Sequence, residues 1–170
     1  MYNKEIKALL SLALLSAGIY LFTEGEIGYG VLVLLLMGLV ILSIFKDERI
    51  LKAFYHLRKN DMQKAEATLS KIMHPEKLIK SQEAYFYYLN GLVLSQTQMN
   101  KAEKFFKRAL TLGLRNDTDK AVAKLNMAGL AMSRRRKREA TTLLAEVKKL
   151  DKHNMLDDQV KMMKQQLKRI

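Results

Sequence analysis

Two long apolar runs open the chain, and the rest of it places its apolar residues at helical steps. Residues 6–22 and 27–45 are apolar on every face, with Lys7 the sole charge inside either run. Each is about long enough for a helix, at ~1.5 Å per residue, to cross a hydrocarbon layer roughly 30 Å thick. A helix that is apolar all round needs an apolar surrounding. The pattern therefore predicts a two-helix transmembrane hairpin over residues 1–46, turning at Thr23-Glu24-Gly25-Glu26. The charges of that turn are acidic, while Lys4, Lys7, Lys46 and Arg49 flank the other ends. The positive-inside bias then puts both termini in the cytoplasm, as in an integral protein of a prokaryotic inner membrane. Ala13 and Ala17 offer a small-xxx-small contact between the spans. Tyr20, Phe22, Tyr29 and Phe45 fall near the interfaces. Two buried helices of a soluble core are one competing reading, and a cleaved signal peptide is another, with Ala8–Leu15 as its core and Ser16-Ala17-Gly18 as its cleavage site. The apolar run continues through Leu21 and Phe22, which favours a retained helix.

From residue 47 to 153 the period is that of paired helices. Tyr85, Tyr88, Leu89 and Leu92 lie on one helical pattern. After the polar break Gln96-Thr97-Gln98 come Ala102, Phe105, Phe106, Ala109 and Leu110 on a second. Small residues at Gly91, Ala102 and Ala109 let the two helices approach closely, with Phe106 filling the space beside them. Ala53, Ala65, Leu69 and Ile72 echo this spacing upstream, and Ala128, Ala140, Leu144 and Val147 echo it downstream. Ala65, Ala102 and Ala140 are separated by 37 and 38 residues. Asn60-Asp61 is expected to make the first turn and to cap the following helix. His74-Pro75 is expected to end that helix, because the ring forbids its continuation. Leu156, Val160, Met163, Leu167 and Ile170 form one further apolar stripe. They predict a C-terminal amphipathic helix over 154–170, with Asn154 as N-cap, covering the last apolar face. The fold class is all-α.

These residues resemble the tetratricopeptide repeat (TPR), whose helix hairpin carries Gly-x2-Tyr on its first helix and Ala-x3-Phe-x2-Ala on its second. Gly91 and Ala102-x3-Phe106-x2-Ala109 match it, whereas Leu94 stands in place of the aromatic and the turn is one residue short. The resemblance implies an α-solenoid of about three helix hairpins, with the first helix of each lining a concave groove. Carried over by register, the groove positions are Asp47, Ile50, Phe54 and Leu57 in the first copy. They are Tyr85, Tyr88, Leu92 and Ser95 in the second, and Val122, Leu125, Gly129 and Met132 in the third. The set lacks the Lys, Asn and Arg with which some family members grip a terminal carboxylate. Its apolar, aromatic character suits a partner's amphipathic helix or extended apolar segment. The same side chains also suit plain packing inside a short stack or under the C-terminal helix.

Charge changes the picture further. The net charge is +13, yet residues 1–45 sum to −1, so the remaining residues carry +14. A part this basic is drawn to anionic surfaces. The densest run is Arg134-Arg135-Arg136-Lys137-Arg138, placed at the turn inside the third copy. It reads as a solvated turn or as a contact for anionic phospholipid headgroups. Nucleic acid is the other candidate partner, with Tyr85, Tyr87 and Tyr88 as base-stacking residues, but no RNA-binding motif accompanies them. Chemistry finds little support. Cysteine is absent, and His56, His74 and His153 have no ligand spacing with a carboxylate or a second histidine. No phosphate loop or nucleophile elbow occurs. The expectation is a membrane-anchored scaffold without cofactor or catalytic residues, recruiting a protein partner, with a tethered nucleic-acid or ribosome binder as the alternative.

Overall fold

The computed structural model describes the backbone of residues 4–45 and 47–169, and the side chains of residues 5–41 and 47–169. Lys46 and the side chains of Lys4 and Phe45 lie outside the described residues, and so do Ile170 and its place on the C-terminal stripe. The protein is all-α. The helices are α1 (Lys4–Thr23), α2 (Ile27–Phe45), α3 (Glu48–Arg58), α4 (Met62–Leu69), α5 (Lys80–Leu94), α6 (Met99–Leu112), α7 (Asp117–Ser133), α8 (Lys137–Leu150) and α9 (Asp157–Leu167). Tertiary contacts divide the chain into two units, residues 1–48 and 49–170.

In the first unit α1 and α2 pack along each other across the turn at Gly25, whose φ of 82° suits only glycine without strain. Their contact face differs from the expected one. Ala13 and Ala17 are exposed, and Gly18 and Gly30 are the buried small residues. A Cβ on Gly18 would touch Leu34 and Val33 at 3.5–3.7 Å, and one on Gly30 would meet the Phe22 ring at 3.0 Å. Lys7, Ser11, Leu14, Gly18 and Leu21 share the less exposed face of α1, stepping by four and three residues. Ala13 and Ala17 lie outside that face. The outer faces stay bare: Leu9, Leu12, Leu35 and Leu39 are each more than 60 % exposed. The segment Glu5–Thr23 is long and apolar enough to cross a membrane, and Ile27–Ile41 is a shorter apolar stretch.

In the second unit one core runs from α3 through α7. It joins Ile50, Ala53, Ala65 and Leu69 to Ala84, Leu89, Ala102, Phe106 and Ala109, then to Ala123, Met127 and Leu130. The repeated alanines Ala53, Ala65, Ala102, Ala128 and Ala140 have no solvent exposure. Helices that meet at alanine or glycine approach closely, so the second helix's large side chain must seat against a backbone. Phe106 does this at Gly91: a Cβ there would lie 2.7 Å from two ring carbons. α5 packs with α6, and α7 with α8.

Two ends depart from expectation. α4 stops at Leu69, five residues before His74, and Pro75–Lys77 forms a separate 3-10 turn. Just past that end the Arg49 guanidinium donates a 2.5 Å hydrogen bond to the carbonyl of Lys71. Ile72 remains buried all the same. Asn154 does not cap α9; it sits in the left-handed region at φ 54°. No side chain caps α9, whose N-cap position is Leu156; Asp151 instead holds the turn before it, accepting the N–H groups of Met155 at 3.0 Å and Leu156 at 2.7 Å. At the first turn the expectation holds. Asn60 takes φ 59°, and Asp61 accepts the Lys64 N–H as N-cap of α4. The Asp61 carboxyl is held below the usual range by its Lys64 hydrogen bonds.

Candidate partner groove and basic turn

The apolar groove residues separate into an open and a covered group. Phe54 is 38 % exposed, and Leu57, Tyr85, Leu92 and Val122 are half-buried. Ile50 and Tyr88 are buried in the main core. Leu125 and Met132 are closed off by the C-terminal helix. Leu125 packs with Leu156 and Val160, while Met132 packs with Leu167. Gly129 lies beneath Met163, whose Cε would be 3.3 Å from a Cβ there. Beyond Val122 the third copy's share of the groove is therefore occupied by α9, because the stripe at Val160, Met163 and Leu167 needs an apolar partner and finds it on α7 and α8.

What stays open is an aromatic tract. The Phe54 and Tyr85 rings lie 6.0 Å apart, and Tyr85 and Tyr88 lie 5.5 Å apart. Both distances fall in the range of favourable tilted ring pairs. Tyr88 reaches on to Phe106 at 6.5 Å. Tyr87 belongs to another face, where it pairs with Phe105 at 5.8 Å and carries the Arg108 guanidinium at 5.9 Å. The helical step divides the three tyrosines, since residues three apart share a face and the one between them does not. They do not form one base-stacking platform.

Asp119, half-buried in the first turn of α7, lies near enough to Tyr85 and Tyr88 for its charge to act on both phenols. Burial pushes its carboxyl above the ordinary range, with no neighbouring cation to oppose the shift. Burial pushes the Tyr85 phenol up to about 12, and Asp119's charge adds to the effect. Tyr88 is raised for the same reasons, burial first. Nothing in the sequence marked Asp119 beyond its suitability for a helix N-terminus.

The basic turn is less uniform than its composition. Arg134 bonds Glu103, and its Nη2 donates to Asn100 Oδ1 at 2.6 Å. Arg136 lies 3.9 Å from Glu103 and 3.4 Å from Glu139. Glu103 also accepts from Lys107 at 2.6 Å, and that bond, followed by the Arg134 bond, holds its carboxyl below the usual range. Arg135, Lys137 and Arg138 are exposed and lie beyond 4 Å from any carboxylate of the described residues. So the five cations of the run separate into two that brace α7 against α6 and three that face solvent. Glu103, the hub of this network, carries no signal at the sequence level except its i,i+4 spacing to Lys107.

The histidines remain apart. His74 Nδ1 is 2.9 Å from Glu76, and the His56 ring lies 6.0 Å from Tyr55. Among the described residues no three of His, Asp and Glu are placed to hold a metal ion. No family model matches the chain, and no curated protein or solved structure matches it.

Proposed function

We propose that the chain is a membrane-anchored TPR-like scaffold that recruits a protein partner at the cytoplasmic face of a membrane. The observation that carries the anchoring is the bare outer face of α1 and α2. Leucines 60 % and more exposed along both helices need an apolar solvent, and a bilayer supplies one. The observation that favours a partner is the open row Phe54, Leu57, Tyr85, Leu92 and Val122 on the first helices of successive pairs. Such a row fits one face of an amphipathic helix. Anchoring confines the search to a thin layer and raises effective concentration without new contacts. Arg135, Lys137 and Arg138 then contact anionic headgroups.

The chain has no cysteine, so single-cysteine variants carry no background. Cysteine at Glu24 and at Lys101 is expected to label from opposite sides of a sealed membrane. Labelling of both from one side refutes the two-span topology. Phe54→Ala with Tyr85→Ala is expected to abolish capture in a crosslinking pull-down from native membranes while helicity persists. The three solvent-facing cations also favour a second reading, a membrane-tethered nucleic-acid or ribosome binder. A salt titration separates the two, since phosphate-driven binding falls steeply with salt and groove capture does not.

A further inference from the structure

We infer that the partner helix presents a lysine or arginine side chain to the open edge of the aromatic tract, seated on Tyr85 beside Asp119. The inference rests on the groove reading above and names the chemistry of its occupant.

Asp119 is the anomaly. The second unit is strongly basic, and its carboxylates are claimed. Glu83, Glu103, Asp117, Glu139, Glu146 and Asp157 each lie within 4 Å of a lysine or arginine. Asp151 is spent on two backbone N–H groups. Glu66 is exposed. Among the described residues of that unit, Asp119 alone is withdrawn from solvent with neither an ion pair nor a hydrogen bond. A half-buried carboxylate without a counter-charge is costly, and a partner that brings the cation removes the cost. The neighbours suit such a partner. Aromatic faces attract ammonium and guanidinium groups, more so when the site is desolvated. The Tyr85 and Tyr88 hydroxyls make no hydrogen bond within the described protein, so their oxygens are free to accept. Phe54 and Leu57 continue the surface for the stem of a long cationic side chain, which buries its methylenes readily. An acidic group in the same place would meet Asp119's like charge.

The test uses full-length protein in detergent micelles and two fluorescent helical peptides of about 16 residues, long enough to hold some helix in water. Both have the same Ala, Leu, Gln and single-Lys composition. One carries the lysine in the middle of its apolar face and the other on its polar face, so net charge is constant. At physiological salt the first is expected to bind about tenfold more tightly. Asp119→Asn is expected to erase that preference, with circular dichroism reporting its fold. Tyr85→Leu, which keeps the apolar area and removes the ring, is expected to reduce it. Equal binding of the two peptides to the natural protein overturns the cation assignment and leaves the groove standing. Binding of neither peptide overturns both. An undiminished preference in folded Asp119→Asn overturns the role of that carboxylate.

Discussion

Gly91 and Phe106 set the closest approach between α5 and α6, and they were paired by spacing alone. The ring is fully buried, so it has nowhere to swing when a methyl intrudes at 2.7 Å. Overpacking of this kind costs ~1–3 kcal/mol. The better helix propensity of alanine returns at most about 1 kcal/mol. Gly91→Ala is therefore expected to lower Tm by several degrees in a thermal melt followed by circular dichroism. Phe106→Ala, which opens a cavity instead, is expected to cost about 3–5 kcal/mol. Asp119 obeys a different logic. A raised carboxyl pKa means the folded state binds the proton more tightly than the unfolded chain does. The charged form then subtracts from stability at neutral pH, and the penalty fades as pH falls through the folded pKa. Asp119→Asn is expected to stabilise the free protein at pH 7 and to make no difference in strong acid. Denaturant midpoints across that range check it. A stabilising change at a binding residue is the expected signature of a site whose strain serves a partner.

At the scale of elements, the pairs were legible because alanines and glycine at fixed spacing encode a backbone contact that any neighbouring sequence must respect. Ala65, Ala102 and Ala140 are buried as their register required. What the register did not carry was the competition at element ends. Arg49 reaches across 22 positions to the Lys71 carbonyl, and Asp151 rather than Asn154 organises the turn that leads into α9. Both depend on tertiary placement. The candidate groove was legible to the same degree. Its positions follow from the hairpin register, but the cover that α9 gives Leu125 and Met132 requires knowing where a terminal stripe docks. Glu103 makes this concrete. It lies on α6 yet holds the turn after α7, through Arg134 and Arg136. Glu103→Gln is expected to cost ~1–3 kcal/mol at pH 7, because two guanidinium groups lose their anion. Glu103's depressed pKa gives the sign. Its contribution is full above the ordinary value of 4.5 and is lost as pH falls through the lower folded pKa. The two proteins are expected to converge in stability there, and an acid titration of unfolding midpoints reads the convergence.

At the scale of the whole molecule, charge and hydrophobicity are segregated along the chain: residues 1–45 sum to −1, and the +14 of the remainder begins where the apolar runs end. Segregation of this kind is what a bilayer imposes, because its interior rejects charge and its anionic surface gathers cations. The proposed arrangement makes a demand on two leucines that no soluble fold would make. Leu12 and Leu35 lie near the middles of α1 and α2, exposed by 63 % and 67 %. In water, replacing an exposed leucine by arginine is nearly neutral. In a hydrocarbon core each arginine costs roughly 2.5–3.5 kcal/mol. Leu12→Arg with Leu35→Arg is thus expected to shift the protein from the membrane pellet to the supernatant of an alkaline carbonate wash, while the natural chain stays with the vesicles. If the natural chain also washes off, the bare leucines are covered by protein and the anchoring reading fails. If it stays and the double variant stays equally, the two faces do not meet lipid, and the spans must be sought elsewhere in the pair.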